Sequence, residues 1–349
     1  MPERRKSGGT LGVTLADVAR RAQTSTAVVS YVINNGPRPV AASTRERVLQ
    51  AIAELGYRPD RVARALRAKR SGVIGVLLPD TANPFFASLG QAIEAAAFDA
   101  GRLVVVGNAR FDPDREEAYV HAFLDSRAEG LVVVSTRHSP RAVDALASAP
   151  VPAVYVHHAP PGTPSAAVLA DNDGGGQLAT THLLDHGHES VAVLAGPDDA
   201  GPVGGRVAGW QRALAEHGVP DDRRIESRGA LTRAGGHAGM RRLLEHEDRP
   251  TAVFAVTDEL AVGALHAIAE AGLRVPGDIA LVGFDGVPEA EFTNPSMTTI
   301  GVPAERMARS AIASLDRAWQ GQERPGGTEI LPVSLIRRAS CGCGSPMPR

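Results

Sequence analysis

The sequence predicts an α/β protein: a small helical module at the N-terminus, then a body of two doubly wound parallel-sheet halves. From residue 72 onward, short apolar runs alternate with helical stretches, which is typical of parallel sheets covered by helices on both faces. This body has about 270 residues, more than one sheet comfortably covers, so two similar halves fit better. Before residue 58, three shorter stretches have apolar residues at helical spacing instead.

Charge is divided unevenly along the chain. The 349 residues carry 37 Lys and Arg against 39 Asp and Glu, a formal net charge of −2. Residues 1–70 hold 14 of the basic side chains and 5 of the acidic ones, so the remainder carries a net −11. A basic end joined to an acidic body predicts that the N-terminal part binds a polyanion.

Capping signals delimit the three N-terminal helices. Thr14 and Asp17 form a capping box before the first helix, and Ser25 caps the second. Ser43 and Glu46 have the spacing of a second capping box, before the third helix. The apolar residues of the three helices form one small core: Leu15, Val18, Ala19, Ala22, Val29, Val32, Ile33, Val48, Ile52 and Leu55.

The second of these helices is predicted to contact DNA. Helix, tight turn and helix within about 20 residues is the arrangement that lets a second helix enter the major groove. Its outward side chains include no Glu, Lys or Arg, unlike an ordinary solvated helix face. The residues available to touch bases or phosphates are Thr26, Ala27, Ser30, Tyr31 and Asn34.

A basic linker follows at residues 59–71. A linker of this charge is expected to fold into a short helix only against phosphates that neutralise it. Leu66 is the one large apolar side chain among these charges and suits insertion between base steps of the minor groove, the alternative being packing on the following domain. The basic residues are Arg61, Arg64, Arg67, Lys69 and Arg70.

Composition and motifs disfavour a conventional enzyme. Lys6 and Lys69 are the only lysines and neither follows a glycine, so the P-loop pair and any Schiff-base lysine in the body are missing. G-x-S-x-G, H-E-x-x-H, C-x-x-C and G-x-G-x-x-G are also missing. Since neither a signal peptide nor a membrane span is recognisable, we expect a cytoplasmic protein without a cofactor.

Histidines and cysteines suggest no metal site at this level. His182, His186 and His188 are the only histidine cluster, and they have no thiol or acidic partner nearby in sequence. Cys341 and Cys343 flank one glycine near the C-terminus, where two ligands cannot close a zinc site. We expect two reduced thiols in this tail region and no bound metal.

Polar residues follow the predicted strands of the body. Ligands of parallel α/β sheets bind at the carboxyl ends of the strands, and Asn, Asp and Arg side chains suit a hydroxyl-rich ligand. The alternative is that these residues only cap helices and close turns. The candidates are Asn83, Phe85, Thr136, Arg206, Thr257, Asp258 and Asp285.

Five stretches near the N-terminus resemble the headpiece of the LacI/GalR transcriptional regulators, and the resemblance continues through nearly the whole chain. They are VTLADVA at 13–19, STAVVS at 25–30, NN at 34–35, TRERV at 44–48 and LGYRP at 55–59.

The resemblance implies roles in DNA binding. Thr26, Ala27 and Tyr31 take positions that read operator bases, and Leu66 takes that of the hinge-helix leucine. Tyr31 stands where arginine is common, so a bidentate contact to guanine is not expected there. Positions that contact phosphates are occupied by Thr14, Ser25, Ser30 and Asn34.

For the body, the resemblance implies a periplasmic-binding-protein-like effector domain. Cleft-lining positions are occupied by Asn83, Phe85, Arg206, Asp258 and Asp285. Thr257 stands where family members mostly have Asn, so a standard hexose is not implied.

The expected boundaries are a disordered arm at 1–12, a helix-turn-helix domain at 13–58, the hinge at 59–71 and an effector-binding and dimerisation domain at 72–341. Within the last, an N-subdomain covers about 72–158 and 303–328, a C-subdomain covers about 159–300 and 329–341, and a tail follows at 342–349.

The expected function is a DNA-binding transcriptional regulator, in the simplest case a repressor, controlled allosterically by a small polar effector such as a sugar or nucleoside. Its partners are a near-palindromic double-stranded DNA operator, the effector, and a second copy in a homodimer or a larger oligomer. The rival is a solute-binding protein or a sugar-processing enzyme built on the same body.

Overall fold

The computed structural model describes residues 13–34, 36, 38–57, 71–321 and 326–343. The chain divides into two compact units, Met1–Ser71 and Gly72–Arg349, so the division falls at the expected start of the body. The expected arm, and Arg61 and Leu66 of the linker, lie outside the described residues.

The first unit contains three helices, α1 (Leu15–Arg21), α2 (Thr26–Asn34) and α3 (Ala42–Leu55). The capping box of Thr14 and Asp17 is confirmed. Ser25 caps α2 as predicted, because its Oγ accepts a hydrogen bond from the backbone N–H of Val28 at 3.3 Å. The predicted core is also confirmed, and Ala51 joins it.

The predicted cap of α3 is wrong. The helix begins one residue before Ser43, so this residue lies inside the first turn, where its hydroxyl cannot act as an N-cap. Ala41 stands at the cap position, where no side-chain hydrogen bond is made among the described residues. The other end of α3 stops at Gly56, whose φ of 61° is the left-handed conformation that glycine favours.

The second unit consists of two halves, each built on a six-stranded sheet. The first half has strands β1 (Val73–Leu78), β2 (Leu103–Asn108), β3 (Gly130–Val134), β4 (Ala153–Val156), β5 (Ala166–Ala170) and β11 (Gly327–Leu331). Its helices are α4 (Pro84–Asp99), α5 (Pro113–Asp125), α6 (Pro140–Ser148) and α11 (Ala304–Trp319). The strand order is β11-β5-β4-β3-β1-β2, and every pairing is parallel.

The second half repeats this plan. Its strands are β6 (Ala192–Ala195), β7 (Glu226–Arg228), β8 (Ala252–Ala255), β9 (Ala280–Asp285), β10 (Thr298–Gly301) and β12 (Ser334–Ile336). Its helices are α7 (Asn172–Asp185), α8 (Pro202–Glu216), α9 (Arg233–Leu244) and α10 (Asp258–Glu270). The order is β12-β10-β9-β8-β6-β7, parallel except where β12 pairs with β10.

The boundary between the halves differs from the expected one. Strand β5 pairs with β4, so the first half continues to residue 170 instead of ending at 158. Strand β11 pairs with β5, so the first half also includes residues up to 331 rather than 328. Strand β5 has three alanines and one β-branched residue, Val168, so its local strand signal is weak.

The C-terminal residues pack against the second half. Ser340 donates its hydroxyl to the carbonyl of Leu281 at 2.7 Å, and Cys341 is 1% exposed. Gly342 and Cys343 follow in a turn, so the expected tail does not begin at 342. Within the described parts of the chain, no helix combines the length and apolarity needed to cross a membrane.

Candidate functional site

A cavity of about 510 Å³ lies between the two halves of the body. Its walls are formed by residues of both halves that stand at or just past the carboxyl ends of parallel strands, where α/β proteins bind ligands. From the first half these include Pro79, Ala109, Ser135 and His157, and from the second Pro197, Ala230, Thr257 and Asp285.

Six of the seven predicted effector residues lie in this wall: Asn83, Phe85, Thr136, Arg206, Thr257 and Asp285. The seventh, Asp258, does not line the cavity. The predicted residues that line the cavity are up to about 200 positions apart in the sequence, from Asn83 to Asp285.

Arg206 is the centre of the site on the second half. Its side chain is 2% exposed, and its guanidinium carbon stands 3.7 Å from the centroid of the Phe284 ring. Nη1 donates to the carbonyl of Val256 at 2.6 Å and to Asp285 Oδ1 at 3.1 Å, and Nε donates to Asn172 Oδ1 at 2.9 Å. Nη2 is buried and has no hydrogen-bond partner among the described residues, and Arg206 is one of the residues that line the cavity.

Close contact between two helices fixes the position of Arg206. Helices α7 and α8 approach through glycines, and a methyl group at Gly176 would overlap the carbonyl oxygen of Arg206. A methyl group at Gly209 would likewise overlap the carbonyl oxygen of Asp173. This leaves the Arg206 backbone little room to move away from α7.

Asp285 ends strand β9 in a strained conformation. Its φ is 128°, a value that residues with a side chain rarely adopt. Burial raises the pKa of its carboxyl group to about 6, and the guanidinium of Arg206 limits the rise. The pair joins two charges where water is excluded, an arrangement that persists only while both partners are present.

Asp258 serves the protein rather than the cavity, which corrects its predicted role. Its carboxylate accepts hydrogen bonds from the backbone N–H groups of Gly286 and Val287, both at 2.9 Å. It also accepts the hydroxyl hydrogen bond of Thr299 at 2.6 Å. These bonds shape the turn after Asp285, and burial raises the pKa of the Asp258 carboxyl group to about 8.

Two of the predicted residues also cap helices. Asn83 Oδ1 accepts from the backbone N–H of Phe85 at 2.9 Å, and Thr257 Oγ1 accepts from that of Leu260 at 3.2 Å. Phe85 is 4% exposed and lies mainly beneath the cavity floor. Capping and lining are therefore compatible at these positions, although the sequence presented them as alternatives.

The first half contributes several aromatic rings to the cavity. The ring of His157 lies 5.0 Å from that of Phe85 and 5.5 Å from that of Phe86. Burial and the charge of Arg206 lower the pKa of His157 well below its usual value, so the ring is neutral. Its Nδ1 has no hydrogen-bond partner in the described part of the chain, and its φ of 77° is left-handed.

Glu116 and His138 are site residues that the sequence did not reveal. Both line the cavity, and Glu116 Oε1 is 3.5 Å from His138 Nδ1. Glu116 lies in the first turn of α5 and is 5% exposed. In the sequence, a glutamate in the first turn of a helix looks like an ordinary solvent-exposed residue. Only its burial in the structure marks Glu116 as a site residue.

The predicted DNA-contacting residues lie along α2 and at the start of α1. Ser25, Thr26 and Ala27 are exposed, as is Thr14, whereas Tyr31 is half-buried. A methyl group at Gly36 would overlap the Tyr31 ring, so the ring lies against this glycine. Ser30 is half-buried and Asn34 lies in α2. Gln23 takes a left-handed φ of 51° in the turn between α1 and α2.

Comparison with known proteins gives two family matches. Residues 14–60 match the bacterial regulatory proteins of the lacI family, and residues 180–341 match the periplasmic binding protein-like domain. The HTH-type transcriptional repressor PurR of Erwinia tasmaniensis is 35% identical over 329 residues, covering 93% of this chain and 96% of that protein.

Solved structures agree with these matches. The lac repressor dimer bound to operator and the anti-inducer ONPF has a TM-score of 0.85 and 33% identity, covering 94% of this chain and 99% of that one. The complex of the transcriptional regulator CelR with cellobiose has a TM-score of 0.71 and 31% identity, with the same coverage.

Proposed function

Because the chain belongs to the lacI family of bacterial regulatory proteins, it is a DNA-binding transcriptional regulator with a small-molecule effector, and we propose that the cavity around Arg206 and Asp285 holds that effector. The observation that carries the proposal is the buried Nη2 donor of Arg206, a cavity-lining residue, which has no partner among the described residues. A buried donor without a partner costs about 1–3 kcal/mol, which a ligand oxygen would return.

The two sides of the cavity define the effector class. The first half offers aromatic faces, including Phe86 and Phe111, and the second half offers Arg206, Asp285 and Thr257. A sugar or nucleoside has both a flat apolar face and an edge of hydroxyl groups, so it matches both sides. The cellobiose complex of CelR is consistent with this class.

DNA binding is assigned to α2. We propose that Thr26, Ala27 and Tyr31 face operator bases and that Thr14, Ser25, Ser30 and Asn34 contact phosphates. Arg61 is proposed to neutralise phosphates and Leu66 to enter the minor groove. The protein acts as a homodimer on a near-palindromic operator, as the lac repressor dimer does.

Effector control follows from a change in the angle between the halves. A ligand that binds one closed conformation of the two halves more tightly than the other shifts the population toward that conformation. This shift changes the spacing of the paired linkers. A coupling free energy of about 1–3 kcal/mol changes operator affinity about 5- to 150-fold.

We propose that the cavity binds without performing chemistry and that the protein acts on genomic DNA in the cytoplasm. Asp258 and Asp285 are the two aspartates that could form a catalytic acid–base pair, but both make other contacts. Asp258 accepts three hydrogen bonds away from the cavity, and Asp285 is paired with Arg206.

The test combines operator selection with a ligand screen. The full chain selects its operator from random double-stranded DNA, and a panel of sugars, polyols and nucleosides is screened by thermal shift. We expect one chemical class to raise the melting temperature and to change operator affinity in fluorescence anisotropy.

A chain lacking residues 1–58 provides the control. It should lose specific DNA binding and keep the thermal shift with the same compound. Specific DNA binding by the truncated chain would show that DNA binding is wrongly assigned to the N-terminal unit.

A further inference from the structure

Two histidines of helix α7 and the two C-terminal cysteines converge at one point of the second half. His182 and His186 lie one turn apart at the end of α7, with ring centroids 4.7 Å apart. Cys343 Sγ lies 3.5 Å from His182 Nε2 and 3.4 Å from His186 Nε2. With Cys341, the four side chains offer one ligand atom each, all within 4.8 Å of one another.

The two sulfur-to-nitrogen separations are those of ligands around one tetrahedral zinc ion. Zinc binds sulfur at about 2.3 Å and histidine nitrogen at about 2.0–2.1 Å, so tetrahedral geometry places the two atoms about 3.5 Å apart. Both measured sulfur-to-nitrogen distances match this value. Two thiolates and two imidazoles are a common set for structural zinc and neutralise its charge.

The backbone around the cysteines is held in place independently of any metal. Thr298 donates its hydroxyl to Cys341 Sγ at 3.1 Å, and its own N–H donates to Ser340 Oγ at 2.8 Å. Arg338 donates to the carbonyl of Met297 at 2.8 Å. A thiol that accepts a hydrogen bond from a fixed hydroxyl group is arranged as ligating thiolates usually are.

The turn between the two cysteines requires glycine. Gly342 takes a φ of 90°, which other residues rarely adopt. The turn places both cysteines beside α7, whereas the sequence separates them from its histidines by more than 150 positions. That separation is why the sequence suggested metal-free thiols and a metal-free helix end.

We propose that His182, His186, Cys341 and Cys343 bind one Zn²⁺ ion, which fastens the C-terminal segment to helix α7. Binding releases the proton of each thiol to solvent and leaves the imidazoles neutral. The ion cross-links two parts of the chain, so its role is structural and it does not depend on the effector proposed above.

Zinc content tests the proposal in the full chain. The protein is expressed with added zinc, freed of any affinity tag, dialysed and analysed by mass spectrometry. We expect about one zinc per chain, as in a closed four-ligand site. Cys343→Ser and His186→Gln should each lose most of the metal.

His188→Gln is the matched control. This histidine is two residues beyond His186 but contacts Thr251 Oγ1 at 2.9 Å instead of the cysteines, so the substitution should leave zinc content unchanged. Equal loss of zinc in the control and in His186→Gln would overturn the proposal.

Cobalt and thiol titration supply readouts that do not rely on the variants folding. Co²⁺ added to the metal-free chain should give visible d–d bands and a near-ultraviolet thiolate charge-transfer band. Zinc should protect both thiols from a thiol reagent, and a chelator should expose them and lower the melting temperature. A cobalt sample that shows only the weak absorption of hydrated Co²⁺, or two thiols equally reactive with and without zinc, would refute the site. If Cys341 and Cys343 form a disulfide, and reducing it does not restore metal binding, the site is refuted as well.

Discussion

Replacing Arg206 by lysine tests the site most directly, because it keeps the charge and removes the planar fork. Arg206 donates three hydrogen bonds, to Val256, Asp285 and Asn172, from a position where water cannot replace them. A lysine side chain is shorter and ends in a single ammonium group, so it keeps at most one of these hydrogen bonds. Since each such bond to or from a charged group contributes about 1.5–3 kcal/mol, Arg206→Lys should lower the free energy of unfolding by about 3–6 kcal/mol.

Urea unfolding followed by tryptophan fluorescence measures this loss. Both tryptophans, Trp210 and Trp319, lie in the body, so their emission reports the unit that contains Arg206. Arg212→Lys is the matched control, since Arg212 lies on the same helix and forms an exposed ion pair with Asp173. The control should cost less than about 1 kcal/mol.

Binding measurements complete the test. A compound found in the thermal-shift screen should bind Arg206→Lys about 10- to 150-fold more weakly, which corresponds to one lost charge-assisted hydrogen bond. Operator affinity without effector should change by less than about twofold, because the proposed DNA-contacting residues belong to the other unit of the chain and the substitution leaves them unchanged. If the lysine variant loses no more stability than the control, or binds the compound as the parent does, the reasoning about the buried guanidinium fails.

Three further predictions follow from local geometry. Thr14→Ala removes the cap of α1, so amide exchange in that helix should accelerate about 2- to 30-fold. Gly209→Ala forces a methyl group onto the Asp173 carbonyl and should cost at least about 3 kcal/mol in urea unfolding. At Gly205 the nearest atom would be 3.1 Å away, so alanine there should cost under about 1 kcal/mol, and equal losses would contradict the packing argument. Burial raises the pKa of Asp285 to about 6, so the protonated carboxyl group stabilises the fold fully below about pH 4, and this contribution is lost by about pH 7. The unfolding free energy of the parent minus that of Asp285→Asn should therefore fall by up to about 3 kcal/mol between these pH values. A difference that does not change with pH would exclude the shift.

The sequence predicted elements best where a local signal was strong. The capping box of Thr14 and Asp17 and the alternating strands and helices of the body depend on neighbours in sequence, and the structure confirms them. Ser43 also has a capping-box partner in sequence, but α3 begins at Ala42, so the same local signal was misleading there. The boundary between the halves was misplaced because the pairing of β5 with β4 and of β11 with β5 joins segments far apart in sequence.

Site residues divide in the same way. Arg206 and Asp285 could be named because they follow the pattern of polar residues around strand ends. Asp258 follows that pattern too, yet it bonds to backbone groups 28 and 29 positions away, a distance at which sequence carries no information about direction. Glu116 and His138 are functional candidates only because the fold buries them against the cavity.

Several energetically unfavourable features coincide in this one cavity, and that coincidence supports the proposed effector site without reference to relatives. Arg206 and Asp285 form a fully buried ion pair, and Asp285 and His157 both have positive φ values. Arg206 Nη2 and His157 Nδ1 are buried without partners among the described residues. Each feature lowers stability in the absence of ligand, and a fold retains such features together chiefly where binding compensates them. A hydroxyl-rich ligand supplies acceptors for the first donor and a partner for the neutral imidazole, so its binding energy includes the relief of costs already present in the free protein.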